Sequence, residues 1–257
     1  MELRENERLD DLGIKNLKII QNKKYFCFGI DSVILANMVS KLKDTSVVVD
    51  LCTGSSVIPV IISAKNKVSR IFGVELQNEM ADLAIRNVEY NKLNKKIQII
   101  HSDIKDVKKI KKTLTDEGYP DTVDVITVNP PYKKVGTGVQ NEDKVSNIAR
   151  HEIKCTLEDI FYTAKKLLKS KGKMYMVHKP ERLTDIIYLA REYKMEPKKI
   201  RFMCPKQNTK PSLVFIEFIK DGNNDVIIEE NLIEYNDDLT YTEEINKIYG
   251  LDNKKGN

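Results

Sequence analysis

The chain has 257 residues, a length that suits one α/β domain with extensions and supports a substantial core. Charged residues make up 32% of it, and no apolar run approaches the ~20 residues that span a bilayer, which argues against a helical membrane protein. The net charge of +5 divides unevenly: residues 221–257 carry three Lys/Arg against ten Asp/Glu, a net of −7, and residues 1–220 carry 40 against 28, a net of +12.

In chain order, LKIIQNKKYFCFG (17–29) alternates loosely around a polar Gln-Asn-Lys-Lys centre, which predicts a hairpin. Residues 30–41 predict a helix with Asp31 near its start. SVVVDL (46–51) is a β-branched apolar run, the pattern of a strand buried on both faces. Residues 56–65 predict a helix, with Pro59 tolerated in its first turn. RIFGVEL (70–76) is a second strand, after which Leu76, Met80, Leu83, Ala84 and Val88 recur at helical spacing. KIQIIHSD (96–103) and VDVITVN (123–129) are the third and fourth strands. A helix over 155–169, a strand over 173–178 and a helix over 181–193 follow. Strands over 198–204 and 212–219 close the series, joined by a loop rich in Lys and Pro.

Alternating strands and helices imply a mostly parallel sheet covered on both faces. The last two strands have no helix between them and are expected to pair as an antiparallel hairpin. The expected architecture is a seven-stranded sheet over 42–220, an N-terminal hairpin and helix over 1–41, and an acidic extension over 221–257. The extension is expected to pack against the basic body or the sheet edge, with Val226, Ile227 and Ile228 supplying the apolar contact. In such sheets ligands bind at the carboxyl ends of the strands.

The polar motifs fall at those ends. The first strand runs into Asp50-Leu51-Cys52-Thr53-Gly54-Ser55-Ser56, where Gly54 lets backbone approach a ligand closely. The second ends at Glu75, about the ~20-residue interval at which a carboxylate meets a ribose diol in dinucleotide folds. The third ends at Ser102-Asp103, where a carboxylate can accept from an adenine amino group. One acidic residue at a strand end is more often a cap or turn residue, but three in succession point to one site. Only Gly54 is present and no Lys follows it, so a pyrophosphate or triphosphate is poorly served. S-adenosylmethionine carries no phosphate and fits better.

The fourth strand ends in Asn129-Pro130-Pro131-Tyr132. Two prolines stiffen the turn, so that Asn129 and Pro130 can present converging acceptors to an NH₂ group. Holding both N–H bonds favours a nitrogen that can attack a methyl group, and alignment supplies the gain of a near-attack geometry. Tyr132 can stack on a planar base.

Asp50 to Gly54, Glu75, Asp103 and the NPPY tetrad resemble the motifs of class I amino-group methyltransferases. Four further stretches resemble the bacterial tRNA1(Val) adenine-N6 methyltransferase family: ERLDDLGIKNLKIIQ, FCFGIDSVILAN, ARHEIKCTLEDI and YTEEINKIYG. The resemblance covers nearly the whole chain. It implies a class I, Rossmann-like fold, S-adenosylmethionine as cofactor and adenine N6 of a tRNA as target. The catalytic set it implies is Asn129, Pro130, Pro131 and Tyr132. Its cofactor set takes Asp31, Asp50, Cys52, Thr53, Gly54 and Ser56 from the first half of the site, and Glu75, Leu76, Ser102, Asp103, Ile104 and Asn129 from the second. Ser56 stands where the family usually has Gly. The same motif serves protein-glutamine N5 and rRNA amino methyltransferases, and a non-catalytic RNA-binding module on the same fold is the alternative from another class.

A basic body favours a polyanion. The RNA-contact candidates are Tyr132, with Lys133, Lys134, Lys144 and Arg150 in a Gly-containing loop over 133–152, and a second cluster at Lys198, Lys199, Arg201, Lys206 and Lys210 near the final hairpin. The polar N-terminus shows no secretory signal, and four scattered cysteines form no CxxC pair. A cytoplasmic, monomeric protein with reduced thiols and no metal is expected.

Overall fold

The computed structural model describes residues 2–25, 27–132 and 155–251. Five strands form the parallel part of the sheet: β3 (Val47–Leu51), β4 (Arg70–Glu75), β5 (Ile97–His101), β6 (Val123–Val128) and β7 (Leu168–His178). Their order is β7-β6-β3-β4-β5. The chain starts in the middle at β3, goes outward to β5, and returns to the other side of β3 with β6. The crevice between the ends of β3 and β6 is therefore the topological switch point.

β8 (Met195–Cys204) and β9 (Leu213–Lys220) pair antiparallel, and β9 lies antiparallel between β7 and β8. The sheet has nine strands rather than the expected seven. The two additional strands, β10 (Ile227–Ile228) and β11 (Leu232–Ile233), come from the acidic extension and join the free edge of β8 in parallel. Two-residue strands carry too little periodicity to be read from sequence. The contact expected from Val226, Ile227 and Ile228 is not how the extension is held, because these side chains are 47–60% exposed. Backbone pairing fixes that segment, and fully buried Leu232 and Ile245 supply the apolar anchor.

Alternate residues of each strand feed two cores, as a sheet covered on both faces requires. Val47, Val49 and Leu51 face one core with α4 (Val107–Asp116), α5 (Leu157–Leu167) and α6 (Leu183–Glu192). Val48 faces the other with α1 (Ile30–Met38), α2 (Val57–Lys65) and Val88 of α3 (Asn78–Tyr90). Ile245, from the terminal helix α7 (Glu243–Tyr249), belongs to this second core.

Three local expectations are corrected. The N-terminal hairpin pairs β1 (Glu7–Asp11) with β2 (Lys18–Asn22), so its turn lies at 12–17 and not at Asn22-Lys23-Lys24. Gly13, Lys15 and Asn16 all take positive φ in that turn, and the backbone N–H of Leu12 donates to Leu17 O at 3.0 Å. Helix α4 was not read from the sequence, because Ile110 and Leu114 are its only buried side chains. Its signal was Asp106, whose carboxylate caps the helix by accepting from Lys109 N at 3.0 Å. Helix α5 ends at Leu167 and β7 begins at once, since Leu168 is extended, fully buried and paired with Val123.

Candidate active site

The turn after β3 is built on left-handed backbone. Cys52, Gly54 and Ser56 have φ of 57°, 54° and 66°, three such residues in five. Only glycine takes that region without steric cost. Gly54 N–H donates to Glu75 Oε2 at 2.9 Å, tying this turn to the end of β4. Asp50 does not face the crevice. It is fully buried, and its oxygens accept from Thr53 Oγ1 at 2.6 Å and from Thr127 Oγ1 at 2.5 Å. Thr127 is the residue opposite Asp50 in the register of β3 and β6. Asp50 thus pins the turn to the sheet, and burial, opposed by the two hydroxyls, pushes its carboxyl up to about 7.

Glu75, at the end of β4, is buried and accepts from the backbone of Gly54 and of Gln77, the latter at 2.9 Å. Burial raises its pKa against these two bonds. Leu76 follows, half-buried, and its carbonyl contacts His101 Nε2 at 3.0 Å. Beyond β5, Ser102 and Ile104 are buried and Asp103 is partly open, accepting from Lys105 N at 2.9 Å.

At the end of β6, Asn129 is half-buried and Pro130 buried. Asn129 Nδ2 donates to Ser32 Oγ at 2.9 Å, which turns Oδ1 toward the Tyr132 hydroxyl. That hydroxyl also donates to Asp31 Oδ2 at 2.8 Å. His178, at the end of β7, lies edge-on to Tyr132 at 5.3 Å between ring centroids, and Lys179 Nζ sits 5.6 Å from the same ring. Burial, with help from Arg182, lowers the His178 pKa to about 4, so the ring is neutral. The turns after β3, β4, β5 and β6 lie at the same edge of the sheet, tied by Gly54 N–H to Glu75 and Ser102 N–H to Glu75 O, and the start of α1 joins them at Asn129.

The comparisons with known proteins follow this geometry. The family model of the TRM5/TYW2 methyltransferase domain matches residues 16–117, from β2 through α4. The tRNA1(Val) (adenine(37)-N6)-methyltransferase of Porphyromonas gingivalis is 23% identical over 212 residues, 81% of this chain and 80% of its own. The protein of that name from Flavobacterium johnsoniae is 22% identical over 86% of this chain and 89% of its own. Among solved structures, a predicted O-methyltransferase from Agrobacterium tumefaciens superposes with a TM-score of 0.66 at 18% identity, covering 86% of this chain and 95% of the other. The chain is a class I methyltransferase. The tRNA m1G37 methyltransferase of M. jannaschii shares the fold at a TM-score of 0.60 and 13% identity, over 87% of this chain and 59% of the other.

The crevice of this methyltransferase fits S-adenosylmethionine. Glu75 accepts from the backbone of Gly54, Gln77 and Leu76, and a carboxylate with about four acceptor positions has capacity left for a ribose hydroxyl. Gly54 leaves the approach open, since a Cβ built there would meet only Met80 Cε, at 3.8 Å. Ser56 is the local misfit: it is fully buried, left-handed, and its Oγ has no partner among the described residues.

Three cations of the second basic cluster are paired with acidic side chains. Lys198 pairs with Asp225, Lys199 with Glu229 at 3.4 Å, and Arg201 with Glu244 through two bonds of 2.7 and 2.8 Å. All three acidic partners come from the extension, so these cations form ion pairs within the fold. Lys133, Lys134, Arg150 and the loop they belong to lie outside the described residues. Sequence reading missed Ser32, Thr127, His178 and Lys179, of which only Ser32, beside Asp31 at a helix start, carried a local signal. It also missed the approach of Cys52 to Cys155, whose Sγ atoms are 3.7 Å apart. That contact, with burial, pushes the Cys52 thiol well up.

Proposed function

We propose that this methyltransferase transfers a methyl group from S-adenosylmethionine to N6 of an adenine in tRNA. The observation that carries the reading is the Asn129 side chain, fixed by Ser32 so that its oxygen faces Tyr132 at the switch-point crevice. The names of the relatives that match over four-fifths of the chain supply the target, an adenine of a valine tRNA next to the anticodon.

In this reading Asn129 Oδ1 and the Pro130 carbonyl accept the two N–H bonds of the adenine amine and hold its lone pair out of the ring plane. Tyr132 offers its ring to the base, a contact worth roughly 1–3 kcal/mol. Glu75 takes the ribose hydroxyls, and Asp103 the adenine amine of the cofactor. Asp50 and Thr53 keep the β3 turn in place. The bound cofactor supplies the electrophilic methyl group. As the nitrogen–methyl bond forms, the carbon–sulfur bond breaks and S-adenosylhomocysteine leaves; the nitrogen sheds one proton to water, so a dedicated base is not required, and neutral His178 packs against Tyr132. The RNA side of the crevice is assigned to Lys179, beside the Tyr132 ring, and to exposed Lys210 on the loop between β8 and β9. Lys179 Nζ reaches Ser212 O at 3.3 Å, which places that loop next to the catalytic turn. Phosphate contacts there would position RNA without reading its sequence. Lys133, Lys134 and Arg150 remain candidates for RNA contact.

The test is transfer of labelled methyl groups to bulk tRNA, rRNA and protein, with the tRNA digested to nucleosides. Wild-type protein is expected to yield N6-methyladenosine in tRNA, and Asn129→Ala to lose most of the kcat while keeping its cofactor affinity. Label appearing in protein or rRNA instead, or an Asn129→Ala rate within a few-fold of wild type, overturns the reading.

A further inference from the structure

Tyr132 has one hydroxyl proton and two oxygens competing for it. One is Asp31 Oδ2, at 2.8 Å; the other is Asn129 Oδ1, the acceptor assigned above to the substrate amine. A phenol can donate to only one of them fully. We infer that Asp31 is a positioning residue: it takes the Tyr132 proton and so leaves the Asn129 oxygen open to the substrate's N–H. The inference rests on the reading of Asn129 as the amine's acceptor.

An ionised acceptor makes a hydrogen bond roughly twice as strong as a neutral one, so the carboxylate wins the proton from the amide. Asp31 is also built to stay in place. It is buried at the start of α1, and its other oxygen accepts from Ser32 N at 2.8 Å. Gly29 leaves room for it, since a Cβ there would lie 3.0 Å from Asp31 Oδ1. The phenol keeps its proton, because burial and the Asp31 charge raise its pKa far above the ordinary tyrosine value. Ser32, the next residue, orients the same amide from its other end. Two consecutive residues of α1 thus set both ends of the Asn129 side chain, one directly and one through Tyr132. Without the carboxylate, the phenol proton turns fully to Asn129 Oδ1, takes one of its two lone pairs and weakens that oxygen as an acceptor for the substrate's N–H. The resemblance had put Asp31 among the cofactor residues; the geometry assigns it to the amine side.

The experiment is a double-mutant cycle on the full-length protein, with unmodified tRNA as acceptor. Asp31→Ala is expected to lower kcat by about tenfold or more while the cofactor dissociation constant, measured by calorimetry, stays within about twofold. Tyr132→Phe keeps the ring and removes the competing proton. In that background Asp31→Ala is expected to change kcat by less than about twofold, because nothing is left for the carboxylate to withhold. Asp31→Asn, a neutral acceptor of the same shape, should give an intermediate loss that also vanishes in the Phe background, and it carries the test if the alanine variant melts. Equal fold losses in the Tyr and Phe backgrounds overturn the inference. So does a weakened cofactor dissociation constant, which would return Asp31 to the cofactor. Wild-type protein that methylates no amine overturns the parent reading and this one together, a failure visible before any variant is made.

Discussion

Replacing Asp50 with Asn should make the protein less sensitive to alkaline pH. Asp50 is fully buried between two threonine hydroxyls, and its pKa rises from 3.8 to about 7 on folding. Below the lower value the carboxyl is protonated in the folded and unfolded chains alike, and its contribution to stability is fully present. As pH rises, the unfolded chain ionises first, and stability falls until the folded carboxyl also ionises near neutrality. A shift of about three units at 1.36 kcal/mol each amounts to roughly 4 kcal/mol, of which about 2–3 kcal/mol is lost between about pH 5 and pH 8. Asn has no proton to lose. Its amide resembles the protonated acid, and both threonine hydroxyls can rotate to meet it. Urea denaturation of the two proteins at about pH 5 and about pH 8 measures the difference directly. Asp50→Asn should gain on wild type by about 2–3 kcal/mol from the lower pH to the higher. Stability curves that run parallel to within about 0.5 kcal/mol would refute the claim that this carboxyl is ionised at a cost inside the fold.

Ser56→Gly removes a left-handed side chain whose hydroxyl has no partner among the described residues, and should raise stability by about 1 kcal/mol; a melting temperature at or below wild type speaks against strain in the turn. Glu75→Ala should weaken S-adenosylmethionine binding by tenfold or more, since hydrogen bonds to a charged group contribute roughly 1.5–3 kcal/mol each, and an unchanged calorimetric dissociation constant rules out its ribose role. Arg201→Glu should loosen α7 by up to about 1 kcal/mol, and the exchange Arg201→Glu with Glu244→Arg should restore most of it; a tRNA KM that rises in the single variant and stays high in the exchanged pair would show that Arg201 touches RNA after all.

The frame of the fold was legible wherever periodicity ran long enough. The β-branched run ending at Leu51 became β3, and the Lys- and Pro-rich segment before Ser212 became the loop between antiparallel β8 and β9. Helix α4 escaped because its two buried residues lie in a lysine-rich segment. At the site, the positions were legible but not the directions. Asp50 stands at a strand's carboxyl end, as read, yet points at Thr127, a partner 77 residues away that only sheet register brings opposite. Asp31 was read near a helix start, but its tie to Tyr132 spans 101 residues. A charge count over Lys198, Lys199 and Arg201 does not show that acidic residues of the extension fold back to pair with them.

The fold-back of the extension changes what salt does to this protein. A polyanion gains affinity by displacing mobile counterions, and the steepness of its salt dependence counts the cations it neutralises. At the β8 edge the counterions are covalent. Asp225, Glu229 and Glu244 belong to the chain and are not released into solution when RNA arrives. The +12 of the body therefore overstates the charge that an RNA meets, and the salt slope should be shallower than a lysine and arginine count implies. Because the three partners come from one continuous segment, cutting the chain before β10 would free all three cations of their fixed counterions at once and should steepen the salt slope.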